Sequence, residues 1–271
     1  EHEVPPADPA DVARNLEQAS NIDPSVTERL LDVVFAHDVA LVANALGTPP
    51  PSLPARGKQS GVVVAARVGK PAHARRQLES GVDLLIAQGT EAGAHTGSIT
   101  TMVLTPEVVD MAGNTPVLAA GGIASGRQMA AAMALGAAGS WTGSIWLATE
   151  EAPIPRSVKE MLLRAASGDT VISTARSGKP ARQLASRYHE IWNAPGSPKP
   201  LPMPLQRMLT AEAWSRIDAA AEQGHEGALE LQSFFVGQVV GSFDSIRPAS
   251  VVVRELLDDF HTQMKHLRSY V

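Results

Sequence analysis

The stretch Pro116-Val117-Leu118-Ala119-Ala120-Gly121-Gly122-Ile123-Ala124-Ser125-Gly126-Arg127 decides how the chain is read. A short apolar run ends in two glycines and leads into a helix capped near Ser125. That helix runs Ser125–Leu135 and stops at Gly136, where a left-handed glycine ends helices well. One helix later the pattern returns in Gly139-Ser140-Trp141-Thr142-Gly143-Ser144, a second strand end with a glycine and hydroxyls. Strands apolar at nearly every position, rather than at alternate ones, are covered on both faces. Strand, glycine turn, helix, strand is therefore a βαβ unit with parallel strands.

Working outward, nearly all-apolar runs at Ala40–Leu46, Val62–Val68 and Val82–Gln88 join Pro116–Gly122 and Gly139–Ile145 as expected strands. Helical patterns lie between or before them at Asp11–Ala19, Ser25–Ala36, Pro71–Ser80 and Thr105–Ala112, the last with Thr105 as cap and Pro106 in its first position. Prolines at 49, 50, 51 and 54 with Gly57 break any helix over 49–60. Beyond Glu150 helical patterns dominate, at Ser157–Ala166, Thr210–Glu222, Gly227–Val240 and Ala249–Ser269, while the proline-rich stretch Asn193–Pro204 reads as an irregular linker or lid. The expected fold is α/β: a TIM (β/α)8 barrel lacking its N-terminal strands in this chain, since such a barrel needs eight, with a mostly helical second domain. The expected domains are 1–149, a barrel portion; 150–245, a helical substrate or lid domain; and 246–271, a C-terminal helix packing back on the barrel.

Composition narrows the function. With 271 residues and 44% hydrophobic content the chain can bury a real core. A net charge of -5 gives no basic field for nucleic acid or an anionic membrane. Without cysteine there is no disulfide, thiolate nucleophile or cysteine-ligated metal. The histidines show no metal-binding spacing, so no metal is expected. No run approaches the ~20 apolar residues of a membrane helix, and the N-terminus lacks the pattern of a signal peptide. A soluble, cytoplasmic protein, monomer or homodimer, is the expectation.

Chemistry concentrates in Ala87-Gln88-Gly89-Thr90-Glu91-Ala92-Gly93-Ala94-His95-Thr96-Gly97, at the C-terminal end of an expected strand. Catalytic residues of barrels sit at that end. Its small residues leave room for a flat ring or substrate, and its amide, carboxylate and imidazole are the polar groups among them. His95 is the candidate base, because imidazole exchanges protons near neutrality. A glycine-rich loop whose histidine only bonds to backbone is the plainer alternative, and position at a strand end weighs against it. The two strand–glycine units at Gly121-Gly122 and Trp141–Ser144 match the phosphate site formed after the last two strands of a barrel, with the N-terminus of the helix after Gly122 adding its positive dipole end. Gly69-Lys70-Pro71 and Gly178-Lys179-Pro180 lack the flanking glycine and hydroxyl of a phosphate loop. Tyr188, Trp192 and Gly237-Gln238 read as core packing.

In the order of these motifs, and in the GSWTGSIWLATEEA segment, the sequence resembles nitronate monooxygenases (2-nitropropane dioxygenases), well over roughly residues 60–180. The resemblance implies noncovalent FMN. Gln88 and Gly93 would contact the flavin; Gly121, Gly122, Trp141, Thr142, Gly143 and Ser144 would take its phosphate; and His95 falls on the family's proposed catalytic base. Two departures stand out: Ala94 replaces the second glycine of the family's EAGGH, and Trp141-Thr142-Gly143-Ser144 stands where QMGT is common. The implied reaction is oxidation of alkyl nitronates, and of nitroalkanes if His95 takes their α-proton, by molecular oxygen to a carbonyl compound and nitrite. An FMN-dependent enoyl reductase or acyl-CoA dehydrogenase on the same barrel is the alternative. A barrel that binds a phosphorylated ligand without catalysis is the second.

Overall fold

A computed structural model describes residues 4–6, 8–10, 13–14 and 24–270. Most of the expected helix Asp11–Ala19 lies outside the described residues. The chain divides into two compact units, one of Thr27–Ala92, Thr96–Gly143 and Pro248–Val271, the other of Glu1–Val26, Gly93–His95 and Ser144–Arg247.

The first is the sheet unit. Strands β1 (Leu41–Asn44), β2 (Val63–Val68), β3 (Leu84–Gln88), β5 (Val117–Ala120) and β6 (Gly139–Trp141) pair in parallel in the order β1-β2-β3-β5-β6. The order never doubles back, as in a barrel and unlike a doubly wound sheet. After α1 (Pro24–Phe35), the helices that follow these strands cover one face: α2 (Ser52–Ser60), α3 (Pro71–Glu79), α4 (Thr101–Ala112) and α5 (Gly126–Ala134). Val64, Ala66, Val68, Leu85, Ala87 and Val117 point into that layer against Leu53, Ala74, Leu104 and Val108. The alternate positions Ala65, Ile86 and Ala120, flanked by Leu41, Ala43, Leu84 and Leu118, form the opposite, inner face. All five expected strands are present, and they form a sector of a TIM-type barrel.

Two helices depart from expectation. Helix α2 forms despite its prolines, because Pro54 lies in the first turn, where no backbone donor is needed. Helix α4 begins at Thr101 rather than at Thr105, leaving Pro106 inside it. The start is set from outside the helix: the Glu91 carboxylate accepts the Thr101 N–H at 2.9 Å and its hydroxyl at 2.9 Å. Such a cap at a positive helix end is stabilising and invisible to local sequence.

The C-terminal helix α10 (Ala249–Arg268) crosses the start of α5 at Gly126, where a Cβ would stand 1.9 Å from Phe260 N and 2.4 Å from Leu256 O. At this crossing Asp259 Oδ2 accepts the Arg127 N–H at 2.7 Å, while Gln263 donates to its other oxygen at 3.1 Å. The Arg127 amide, foremost, holds the Asp259 carboxyl below the usual carboxylate range.

The second unit carries helices α6 (Arg156–Arg164), α7 (Arg187–Asn193), α8 (Leu205–Glu222) and α9 (Glu226–Leu231). It also holds a sheet not expected from sequence, in the order β4-β8-β7, of β4 (Ala94–His95), β7 (Thr170–Ser173) and β8 (Ala181–Leu184). The expected helix Gly227–Val240 ends at Leu231, because the next segment turns to bond with β8: Leu184 N–H donates to Phe234 O at 3.0 Å, and Ser233 Oγ donates to Leu184 O at 2.7 Å. Its core holds Tyr188, whose ring lies 4.6 Å from that of Trp214. Arg176 stacks on the other aromatic surface there, 3.9 Å from the Trp214 ring and 4.7 Å from Phe235. Nearby, burial first and Arg176 second push the His189 pKa down to about 4. Burial also raises Asp218, partly offset by the Arg176 charge.

Candidate active site

In the sheet unit, Gln88, Ala120 and Trp141 stand side by side at the C-terminal ends of β3, β5 and β6. The residues that follow them are thereby brought together as neighbouring tips. Gln88 continues the inner-face alternation of Leu84 and Ile86 and is 6% exposed. Trp141, by contrast, is 37% exposed.

Gly121 and Gly122 both take left-handed conformations, φ +94° and +70°. A Cβ at Gly121 would come within 3.0 Å of both Ala92 N and Gly89 O, so any other residue there is strained and crowded. Gly143 contrasts with them: among the described residues, its two chain neighbours apart, no atom lies within 4 Å of where its Cβ would be. A tight glycine pair beside an open glycine fits backbone that an anion can approach.

The first amides of the helix after the pair already have partners. Gln128 Oε1 accepts from Ala124 N at 2.7 Å and Ser125 N at 3.0 Å, Ser125 Oγ accepts from Gln128 N at 3.3 Å, and Asp259 accepts from Arg127 N. The capping box and an aspartate already satisfy that helix end. A phosphate at the glycine pair would be held by the tips themselves.

Glu91 is likewise committed. Besides capping α4, it lies with its stem 3.4 Å from a Cβ placed on Gly122, and the Thr101 hydroxyl that it accepts also lies 2.9 Å from Gly121 O. Carboxylate and threonine thus brace the glycine pair. Thr101 escaped notice in the sequence, where only Thr105 looked like a cap.

Gly93, Ala94 and His95 leave the sheet unit between Ala92 and Thr96 and belong to the helical unit. Gly93 is pressed against Val236 and Gly237, where a Cβ would meet Val236 C at 2.7 Å. Gly237 N–H donates to Ser144 Oγ at 2.8 Å, so this hydroxyl holds Gly237 as an acceptor and keeps its own proton to donate. His95 pairs with Ala181 in the register of β4 with β8. Its Nδ1 is 3.1 Å from Pro180 O. A carbonyl can only accept, so this bond places the proton on Nδ1 and the lone pair of the neutral ring on Nε2. The tautomer of this ring is thus set by a backbone atom, which residue identities could not have disclosed.

Ala94, just before it, is the one non-glycine with positive φ among the described residues, at +60°. A left-handed L-residue costs roughly 1–2 kcal/mol. Ala94→Gly is expected to raise stability by about 0.5–1 kcal/mol, after allowing for the freer unfolded chain. Urea unfolding checks it; a loss would mean that the methyl group's packing outweighs the backbone cost.

Among the described residues no cluster of three or more histidines or carboxylates could hold a metal, and no helix is long and apolar enough to cross a membrane.

The family model for nitronate monooxygenase matches residues 3–259. The Mycobacterium tuberculosis protein Rv1533 is 53% identical over 251 residues, covering 93% of this chain and 67% of that protein. The (3aS,4S,5R,7aS)-5-hydroxy-7a-methyl-1-oxo-octahydro-1H-indene-4-carboxyl-CoA dehydrogenase of Rhodococcus jostii is 40% identical over 162 residues, covering 60% of this chain and 45% of the dehydrogenase. Among solved structures, nitroalkane oxidase from Streptomyces ansochromogenes superposes with a TM-score of 0.79 at 26% identity, over 96% of this chain and 80% of that one. The chain therefore spans two thirds or less of the two curated relatives named. Parallel strand tips, a paired glycine turn, a histidine on a short strand and a match across nearly the whole sequence agree: the chain belongs to the nitronate monooxygenase family.

Proposed function

We propose that the chain is the flavin-phosphate-binding part of an FMN-dependent oxidoreductase that oxidises alkyl nitronates, and nitroalkanes through a prior deprotonation, with molecular oxygen to a carbonyl compound and nitrite. The observation that carries the reading is the His95 imidazole, whose Nδ1 is tied to Pro180 O and whose lone pair is left on Nε2. A base with a fixed tautomer suits abstraction of a proton from carbon next to an electron-withdrawing group.

FMN fits the residues present. Gly121 and Gly122 form a cradle that a Cβ would fill, and Gly143 leaves open backbone. These three, with Trp141, Thr142 and the Ser144 hydroxyl, would hold the phosphate, and Gln88 and Gly93 would meet the ring. Bound FMN would accept electrons from the substrate and pass them to oxygen. The protein's own part is to position, exclude water and hold the α-proton at His95 Nε2.

A visible spectrum of the purified protein, release of its chromophore, and oxygen uptake with ethyl nitronate test the reading. A yellow protein releasing FMN and forming nitrite is expected. A protein that neither carries nor takes up FMN would remove it. The relationship to a CoA dehydrogenase favours a second reading, the FMN-dependent enoyl reductase or acyl-CoA dehydrogenase, since a carbon acid next to a thioester needs the same base. Reduction of the flavin by NADH or NADPH would point to the reductase.

A further inference from the structure

The turn that anchors His95 carries an exposed lysine and borders an apolar strip. Ser177-Gly178-Lys179-Pro180 is rigid: Ser177 Oγ donates to Lys179 O at 3.0 Å, and Gly178 N–H donates to Thr174 O at 2.7 Å. Lys179 is exposed, and its ammonium has no ion-pair partner among the described residues. This cation therefore sits one residue from the carbonyl that receives the His95 proton donor.

The other side of the turn meets the proline-rich segment. Gly178 lies so close to it that a Cβ would stand 2.2 Å from Leu201 O and 2.5 Å from Met203 N. From that contact an apolar strip runs outward. Leu201 is 43% exposed, Met203 39%, Leu205 51%, Met208 37% and Leu209 62%. Leu205, Met208 and Leu209 share one face of α8 by their spacing of three and four residues. So many large apolar side chains left in water along one segment mark a binding surface rather than scatter. Counting residues along the turn, the strip begins on the order of 10 Å from the His95 ring.

We propose that this strip binds the aliphatic tail of the substrate, with an anionic head group at Lys179. The inference rests on the reading of His95 as the base, and it narrows the substrate class to amphiphilic anions with several methylenes. Charge complementarity selects this occupant: an exposed ammonium on the turn that anchors His95 suits a nitronate or carboxylate oxygen, and the strip that starts from the same turn suits hydrocarbon. A small nitronate would use the cation and leave the strip bare.

The test uses linear alkyl nitronates from ethyl to octyl for turnover, and sodium propionate and octanoate, which do not react, for binding by calorimetry. The value of kcat/KM is expected to stay level for the shortest chains and to rise about two- to fourfold per methylene once the tail reaches the strip, and octanoate to bind at least tenfold more tightly than propionate. Leu205→Ser and Leu209→Ser, exposed and therefore harmless to folding, should flatten both series and bring octanoate binding close to that of propionate. Lys179→Met should raise KM at least tenfold at every chain length, with Lys179→Arg restoring it. A flat series in the unaltered protein, or slopes unmoved by the serine variants, overturns the tail site; a KM unmoved in Lys179→Met overturns the head-group site. If no nitronate turns over yet octanoate is still preferred and lost with Lys179→Met, the reaction assignment fails and the binding strip stands.

Discussion

Replacing His95 by alanine is expected to lower kcat/KM for neutral nitroalkanes by about 10²–10⁴, the range for loss of a positioned general base, while preformed nitronates keep turnover within about tenfold. The reason lies in the substrate's proton: a nitronate has already lost it, so only the neutral form requires the Nε2 lone pair that the Pro180 carbonyl bond leaves in place. Equal losses on both substrates would take away the role of base and leave His95 a β4 residue bonded to β8.

Arg176→Met is expected to destabilise the helical unit by about 3 kcal/mol. The guanidinium lies 3.9 Å from the Trp214 ring, 4.7 Å from Phe235, and donates to Ser233 O at 3.1 Å. Methionine keeps much of the apolar stem but removes the cation that faces Asp218, whose Oδ1 is buried without a hydrogen-bond partner. Urea unfolding followed by tryptophan emission measures the change, and Asp218→Asn in the same background should recover part of it. A loss under about 0.5 kcal/mol, the level of ordinary surface changes, would show that the stacked cation contributes little.

The same cluster has a pH signature. The folded-state pKa of His189 lies at about 4 against 6.5, so its contribution is whole above 6.5 and is lost as pH falls through 4. Asp218, raised by burial, works in the opposite sense: what it contributes is present at low pH and lost as pH rises through its folded value.

The central strands could be read because parallel strands buried on both faces are written as nearly continuous apolar runs, as in Val63–Val68 with only Arg67 polar, Leu84–Gln88 with only its last residue polar, and Val117–Ala120. The glycine pair was legible for a related reason: left-handed backbone at Gly121 and Gly122 restricts what can stand there. Features built by distant contacts were not. Helix α4 starts where Glu91, ten residues earlier, caps it; α9 stops because residues 233 and 234 bond to β8; and β4, two residues long, exists only through its pairing with β8. At the candidate site the histidine announced itself, but its partner is a main-chain oxygen, and Lys179 looked like part of a failed phosphate loop until the turn was seen to anchor the base.

The crossing of α5 and α10 has a consequence for biosynthesis. Asp259 caps a helix 132 residues before it in the chain, so the turn holding Gly121 and Gly122 emerges from the ribosome long before its helix can be finished. Until α10 arrives, the Arg127 amide faces water while the local capping box already holds its neighbours, and the late, non-local closure is the kind that slows folding. A nascent chain would spend that interval with the close approach at Gly126 still unpacked.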